Sequence, residues 1–321
     1  MPNTVLDCES IHVAVGVITS GCGEILIARR PGGSHQGGLW EFPGGKLEPG
    51  EGVELALERE LEEELGVQIE CARPLIRIRH RYPDRSVLLD VWRVTAYRGS
   101  PIGREGQPLR WVLPERLLQY PFPPSNRSIV TAVRLPERYL ITPEPEGDFL
   151  GFLSRLEHCL QAGVRLVQLR AKRLPADDYR RLAKRVVRIA GKYKAQILLN
   201  ATPELVLETG ADGIHLSAQR LLSLRQRPLP SSLWVAASCH NVTELVHAQG
   251  IGVDFGVVSP VLPTATHPHA AALGWERFRQ LAEQAVFPVY ALGGMSMQHL
   301  SLAHSYGAQG IAAIRAIWKE H

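Results

Sequence analysis

The sequence is poor in cysteine and has no long apolar segment. Its 321 residues include five cysteines, which are scattered and form no Cys-x-x-Cys pair. A disulfide framework or a zinc site is therefore not expected, and a reducing cytoplasm fits. No run of about 18 apolar residues occurs, and the N-terminus lacks the basic and then apolar pattern of a signal peptide. No membrane partner is expected.

Charge of one sign is also scarce. The net charge is +4, near balance over residues 1–135 and modestly positive in the remainder. Neither part is basic enough to indicate nucleic-acid binding, whereas a modest positive excess suits small anionic ligands such as phosphates. The length and the hydrophobic fraction of 45% are typical of two globular domains.

The first part of the chain has the pattern of a mixed α/β domain. A helix is predicted over Glu51–Leu65, because Val53, Leu57, Leu61 and Leu65 recur every four residues and Gly66 supplies a stop. The other predicted elements are strands at Ile11–Thr19, Glu24–Arg30, Leu75–His80 and Val87–Tyr97, a short helix at Pro114–Gln119 and another after Asn126.

A second pattern of alternating strands and helices begins at Arg138, so we place a domain boundary that separates residues 1–135 from 136–321. Eight short runs, apolar on both faces, predict parallel strands of a compact (β/α)8 TIM barrel, with a doubly wound open sheet as the alternative. The clearest helix is predicted at Ala176–Lys194. The strands are predicted at Tyr139–Thr142, Leu166–Leu169, Gln196–Leu199, Gly213–Leu216, Trp234–Ala237, Phe255–Val258, Val289–Ala291 and Gly310–Ala313.

Seven glutamates crowd the predicted helix between Glu51 and Glu64. Glu60, Glu63 and Glu64 stand at i, i+3 and i+4, so their carboxylates converge on one side of a helix. A charge run is usually a solvated face, but hard oxygen donors gathered in this way suit Mg²⁺ or Mn²⁺. Gly44 and Gly45 precede the helix and allow the backbone to approach a metal or a phosphate closely.

Together these residues resemble the Nudix box, a signature with nine fixed positions. They are Gly45, Glu51, Arg59, Glu60, Leu61, Glu63, Glu64, Gly66 and Val67. The resemblance implies a mixed α/β/α sandwich that hydrolyses a pyrophosphate in a nucleoside diphosphate derivative. It implies that Glu60, Glu63, Glu64 and the Gly44 carbonyl bind the metal, that Glu51 pairs with Arg59, and that Glu63 or Glu64 is the base.

Residues 10–135 further resemble the MutT-like branch of that family, which removes oxidised dGTP from the nucleotide pool and so protects DNA replication. Matching runs include Leu39–Pro43, Tyr82–Arg85, Gly103–Pro108 and Phe122–Asn126. The resemblance implies that a nucleoside triphosphate is the substrate and that Glu105 is a further metal-binding or catalytic carboxylate. It also places Arg30, Phe42, Arg85 and Asn126 near the nucleotide.

Asn126 is the candidate for substrate choice. A carboxamide offers a donor beside an acceptor, which matches O6 and N7–H of 8-oxoguanine but not the two acceptors of guanine. A buried polar mismatch of this kind discriminates by factors of up to about 10⁴. The alternative is that Asn126 only caps the following helix.

Residues 138–318 resemble the thiamine-phosphate synthase and TenI group, which are (β/α)8 barrels. The matching runs include Val167–Lys172, Gly210–Leu216, Ser238–Asn241 and Leu292–Met295. Two acids that hold Mg²⁺ in the synthases are missing, since Asn200-Ala201-Thr202 and Ser217-Ala218-Gln219 stand in their places, and a lysine is replaced by His267. Synthase activity is therefore not expected.

A phosphate pocket is still expected in the barrel. Its candidate residues are Arg170, Lys172, His240, Gly293 and Gly294, with Arg315 able to add charge. By the resemblance His240 could act in a TenI-like tautomerase, although a structural histidine is an equal alternative.

The leading interpretation is hydrolysis of 8-oxo-dGTP to 8-oxo-dGMP and pyrophosphate. The alternatives are hydrolysis of a thiamine-pathway diphosphate and regulation of the hydrolase by a thiamine-related phosphate bound in the barrel.

Overall fold

The chain forms two compact units, Met1–Arg134 and Leu135–His321. The computed structural model describes residues 10–33, 36–81, 86–146, 149–264 and 271–319. Within these ranges no helix is long and apolar enough to cross a membrane.

The first unit contains two sheets. Their strands are β1 (Ser10–Ile18), β2 (Ile25–Arg29), β3 (Trp40–Glu41), β4 (Gly44–Lys46), β5 (Gln68–Arg81), β6 (Ser86–Arg98) and β7 (Leu109–Val112), and the α-helices of the unit are α1 (Val53–Leu65) and α2 (Arg127–Arg134). One sheet has the strand order β4-β1-β6-β5, in which β1 is antiparallel to β4 and parallel to β6, and the other has the order β3-β2-β7.

Strand β1 has one helix on each of its faces. Ala14 and Ile18 pack with Leu57 and Leu61 of α1, whereas Val15 and Val17 belong to a second apolar cluster that contains Ile129 and Val130 of α2. This alternation follows from the two-residue period of a strand. The expected α/β/α sandwich is confirmed.

One detail of the first unit differs from the prediction. The two strands predicted before and after Gly21–Gly23 are present as β1 and β2, and they lie in different sheets. The strand predicted at Leu75–His80 begins at Gln68, since β-bulges let β5 follow β6 past Pro74.

The second unit is a closed barrel of eight parallel strands, β8 to β15, which confirms the TIM barrel and excludes the open sheet. The strands are β8 (Arg138–Ile141), β9 (Leu166–Leu169), β10 (Gln196–Leu199), β11 (Gly213–Leu216), β12 (Trp234–Cys239), β13 (Phe255–Val258), β14 (Val289–Leu292) and β15 (Gly310–Ala313). The helices are α3 (Phe149–Gln161), α4 (Ala176–Lys192), α5 (Pro203–Thr209), α6 (Ala218–Ser223), α7 (Val242–Gly250), α8 (Gly274–Ala282), α9 (Leu300–Ser305) and α10 (Arg315–Lys319).

The barrel strands are apolar on both faces, as parallel strands covered by helices must be. The inner face is filled by large side chains such as Tyr139, Trp234, Phe255 and Tyr290. The outer faces pack against the helices in a separate cluster. The barrel is thus a filled core, and its carboxyl-terminal mouth is the place for a ligand.

Candidate functional site

Helix α1 carries the glutamates of the first unit. Leu57, Leu61 and Leu65 are at most 1% exposed and anchor one face of the helix in the core. The helix ends at Gly66, which has a left-handed φ of 71° and whose amide donates to the Glu62 carbonyl. The acidic face therefore points away from the core, towards the loop that precedes the helix.

The Gly44–Gly45 turn reaches this acidic face because β4 pairs with β1. The Gly44 amide donates a hydrogen bond of 3.2 Å to Oε2 of Glu64. Gly44 has a φ of 140°, and a Cβ there would lie 2.1 Å from the Ala14 carbonyl oxygen. A Cβ on Gly45 would lie 2.1 Å from the carboxyl carbon of Glu60. Both glycines are needed for the turn to meet the two carboxylates.

Arg59 holds the start of the helix to the loop. Its Nε and Nη2 donate to the two oxygens of Glu51 at 3.0 and 2.9 Å, and Nη1 donates to Glu60 at 2.8 Å. Nη2 also donates to the Lys46 carbonyl at 3.1 Å. The hydrogen bonds from Arg59 lower the pKa of Glu51. The pair expected between Glu51 and Arg59 is therefore present, and it also orients Glu60.

Glu63 is more exposed than Glu60 and shares the Arg59 guanidinium with it. Its side chain is 64% exposed, and Oε2 is 3.6 Å from Nη1 of Arg59. The structure thus places Glu60 and Glu64 at the glycine turn, whereas Glu63 contacts Arg59, which also binds Glu60.

Two further carboxylates act on Glu64. Burial raises the pKa of Glu64 to about 7, and the charges of Glu105, Glu41 and Glu60 add to that rise. Burial also raises the pKa of Glu41, which forms an ion pair with Arg30 and is repelled by Glu105. Sequence reasoning missed Glu41. The signal available in the sequence was that Glu41 is a single acidic residue within the apolar run before Gly44 and Gly45.

These residues fit a divalent cation in the chemistry of their donors. They offer hard carboxylate oxygens, and the negative charges of Glu105, Glu41 and Glu60 act on Glu64 in a way that a divalent cation would neutralise. Among the described residues, no three carboxylate, imidazole or thiol groups already form a cluster that could hold an ion. A bound cation would compete with Arg59 for Glu60 and with the Gly44 amide for Glu64.

The residues expected near the nucleotide are buried or half-buried wherever the structure describes them. Phe42 is only 3% exposed and stacks on Phe122, with ring centroids 5.3 Å apart and an interplanar angle of 15°. Asn126 is half-buried at the end of the short helix Pro124–Asn126, where its Nδ2 donates to Ser125 at 3.3 Å. Nε of Arg30 is buried and has no hydrogen-bond partner among the residues that the structure describes. Arg85 lies outside the described residues.

At the mouth of the barrel, Glu144 organises the loop after β9. Its carboxylate accepts hydrogen bonds from the amides of Lys172 and Arg173, at 3.0 and 3.3 Å, and lies 3.6 Å from Nη1 of Arg170. Arg170 is thus already balanced by an acid, while the Lys172 residue is exposed.

His240 lies at the carboxyl end of β12 and is held by Glu244. The Glu244 carboxylate is 2.9 Å from Nδ1 of His240 and accepts its amide at 2.7 Å. The His240 side chain is 45% exposed. An imidazole oriented by a carboxylate can move protons, but Glu244 also lies in the first turn of helix α7, where its amide donates to the N-cap residue Asn241 at 3.0 Å.

A cavity of about 240 Å³ opens at the ends of the last two strands. Its lining includes Thr264, Gly293, Gly294 and Arg315. Gly293 and Gly294 have φ values of 101° and 69°, and a Cβ on either would collide with the Pro260–Pro263 segment. Glycine is therefore required for this turn. His267 lies outside the described residues.

A buried hydrogen-bonded chain inside the barrel was not anticipated. The Tyr139 hydroxyl is 2.9 Å from Nδ1 of His215, whose Nε2 is 2.9 Å from Oγ of Ser238. Burial lowers the pKa of His215 to about 3, so its ring is neutral near pH 7.

Comparisons with known proteins match each unit separately. A NUDIX domain model matches residues 14–132, and a model described as thiamine monophosphate synthase matches residues 138–317. An 8-oxo-dGTP diphosphatase of Escherichia coli is 36% identical over 126 residues, which are 39% of this chain and 98% of that protein. An 8-oxo-dGTP diphosphatase of Proteus vulgaris is 41% identical over 102 residues, 32% of this chain and 91% of that protein. A thiamine-phosphate synthase of Thermus thermophilus is 35% identical over 179 residues, 56% of this chain and 86% of that protein.

Proposed function

Because the chain belongs to the Nudix family through its N-terminal unit and to the thiamine monophosphate synthase family through its C-terminal unit, we propose that it hydrolyses 8-oxo-dGTP to 8-oxo-dGMP and pyrophosphate in the cytoplasm. The N-terminal unit is a Nudix pyrophosphohydrolase. The observation that carries the proposal is the convergence of Glu60 and Glu64 on the Gly44–Gly45 turn, under the charge of Glu105.

Glu60, Glu64 and Glu105 would hold Mg²⁺ or Mn²⁺, with the Gly44 carbonyl as a further donor. Such a cation, when bound, neutralises phosphate charge and lowers the pKa of a water molecule. Arg59 fixes the orientation of Glu60 and joins the helix to the loop through Glu51. Glu63 or Glu64 is our candidate for the base, and kcat measured against pH for the Gln variant of each would separate them.

Asn126 supports the choice of an oxidised guanine. Its carboxamide oxygen has no hydrogen-bond partner among the described residues, so it can accept from N7–H of 8-oxoguanine. Phe122 lies just before the short helix Pro124–Asn126 in the chain, and it packs with Phe42 in the same apolar cluster.

The test is a comparison of kcat/KM for 8-oxo-dGTP and dGTP with Mg²⁺. We expect a large preference for 8-oxo-dGTP, and Asn126→Ala should remove most of it while leaving the rate on dGTP within about threefold. Ser128→Ala, two residues further on, is the matched control. Equal kcat/KM values for the two nucleotides in the unmodified chain would refute the proposed substrate.

For the barrel, we propose binding of a thiamine-related phosphate without synthase activity. The cavity lined by Gly293, Gly294 and Arg315 favours it. The loops after β10 and β11 carry Asn200-Ala201-Thr202 and Ser217-Ala218-Gln219 and supply no acid for a metal-bound diphosphate.

Calorimetric titration of the full chain with thiazole phosphate tests the barrel proposal. Gly293→Ala should weaken binding at least tenfold, since its Cβ would lie 2.8 Å from Cβ of Pro260. Gly252→Ala is the control, because Gly252 has a similar left-handed φ of 76° but no atom of the described residues within 4 Å of the added Cβ. Absence of heat with the unmodified chain would reject the proposal.

A change in hydrolase rate on adding the ligand would favour a regulatory role, and faster turnover of a thiamine-pathway diphosphate than of any nucleotide would favour the other alternative.

A further inference from the structure

The loop after β6 is fastened to the last turn of helix α1. The final carbonyls of a helix lack partners within it, and residues 102–107 supply donors to them. The Ile102 amide donates to the Leu65 carbonyl at 3.0 Å, and the Arg104 amide donates to the Glu64 carbonyl at 2.9 Å. We call residues 102–107 the latch loop. It brings Glu105 to the end of the helix that carries Glu64.

The side chain of Gln107 links the latch loop to helix α1 through two hydrogen bonds. Its Nε2 donates to the Glu64 carbonyl at 3.2 Å, and its Oε1 accepts the amide of Glu105 at 2.9 Å. One carboxamide therefore joins the backbones of two residues whose carboxylates repel one another. The loop closes tightly around it, since a Cβ on Gly103 would lie 2.1 Å from the Gln107 carbonyl oxygen.

Glu105 is positioned by its backbone, through the bond from the neighbouring Arg104 amide to the Glu64 carbonyl and through Gln107. The residue is exposed, and its side chain makes no hydrogen bond or ion pair with the described residues. Arg104 also anchors the loop, through Nη1 to the Glu62 carbonyl at 2.8 Å, but that bond does not reach Glu105. Beside that backbone bond of Arg104, Gln107 is the one side chain among the described residues that hydrogen-bonds the backbones of both Glu105 and Glu64.

We propose that Gln107 is a positioning residue, which holds Glu105 beside Glu64 and thereby sets the affinity of the site for a divalent cation. The proposal rests on the proposed function only in taking Glu64 and Glu105 as metal ligands, and it does not depend on the nucleotide. Residues that orient metal ligands typically change metal affinity by about 10- to 100-fold when they are substituted.

Mn²⁺ binding to the full-length protein without substrate tests the proposal, with free Mn²⁺ measured by electron paramagnetic resonance. Gln107→Met keeps the size of the side chain and removes both hydrogen bonds, and it should raise the Kd for Mn²⁺ about tenfold. Glu105→Gln should raise it at least as much. If Gln107 acts through Glu105, the double variant should bind Mn²⁺ no more weakly than Glu105→Gln alone.

Gln68→Met is the matched control, since Gln68 is exposed and its Nε2 lies 3.5 Å from a Glu62 oxygen. Its Kd should equal that of the unmodified chain. Should Gln107→Met fail to fold by circular dichroism, Gln107→Glu provides the second test, because it keeps the acceptor for the Glu105 amide but cannot donate to Glu64.

Three outcomes would overturn the proposal: an unchanged Kd in both Gln107 variants, an equal further loss in the Glu105→Gln background, or no Mn²⁺ binding by the unmodified chain. The last would also remove the proposed metal chemistry. Mn²⁺ binding with no turnover of 8-oxo-dGTP would refute the substrate alone and leave the role of Gln107 standing.

Discussion

Substituting Gly45 by alanine should disable the hydrolase without unfolding it. Gly45 does not have a left-handed φ, so the backbone accepts alanine. The new methyl group would lie 2.1 Å from Cδ of Glu60 and 2.2 and 2.3 Å from its two oxygens. The change is therefore a direct steric displacement of one proposed metal ligand.

The size of the effect follows from that distance. An ordinary contact begins at 3.4 Å, so the Glu60 carboxylate must retreat by about 1.3 Å from 2.1 Å. The carboxylate is the end of a flexible side chain, so it can move at a small cost in stability. A misplacement of about 1 Å in a catalytic group costs about 100-fold in rate, and we expect that loss in kcat/KM.

The assay is pyrophosphate release from 8-oxo-dGTP at several Mg²⁺ concentrations. Gly45→Ala should need more Mg²⁺ for its half-maximal rate. The matched control is Gly52→Ala at the N-cap of α1, where φ is −78° and no atom of the described part of the chain lies within 4 Å of the added Cβ. A rate within threefold of the unmodified chain for Gly45→Ala, or an equal loss in both variants, would refute the reasoning.

Two stability predictions follow from burial. Leu61→Ala should lower the free energy of unfolding of the first unit by about 2–5 kcal/mol, measured by urea denaturation, whereas Leu55→Ala, at an exposed position of the same helix, should change it by less than about 0.5 kcal/mol. Because burial lowers the pKa of His215 from 6.5 to about 3, the unfolded chain binds more protons between these pH values. The contribution of His215 to barrel stability should therefore be complete above pH 6.5 and should fall by about 1.4 kcal/mol per unit as the pH drops towards 3. In His215→Gln thermal unfolding should lose this dependence, and an unchanged slope would contradict the prediction.

The barrel could be predicted closely from the sequence because each strand is a short apolar run. The strand predicted at Phe255–Val258 has those bounds in the structure. The strand predicted at Trp234–Ala237 is longer by two residues and ends at Cys239. A strand buried on both faces leaves a local signal that needs no knowledge of its neighbours.

The short strands of the first unit leave no such signal. Strand β3 is only Trp40–Glu41 and β4 is only Gly44–Lys46, and each forms because a longer strand lies beside it. The side chain of Glu41 is placed against Arg30 by this pairing. The effect of the Glu41 charge on the site therefore could not be predicted before the register of β2 and β3 was known.

Glu63 is an example of what helical spacing alone cannot predict about a site. At 3.6 residues per turn, Glu64 lies about 40° from Glu60 around the helix and Glu63 lies about 60° from Glu60 in the opposite direction. All three face one side, but the spacing does not say from which direction a second element approaches. The pairing of Val15 with Gly44 decides this, because it brings the glycine turn to Glu60 and Glu64. Arg59, one turn before Glu63, then takes the other edge of the acidic face. A metal would therefore compete with Arg59 for both Glu60 and Glu63, whereas Glu64 is held at the glycine turn by the Gly44 amide.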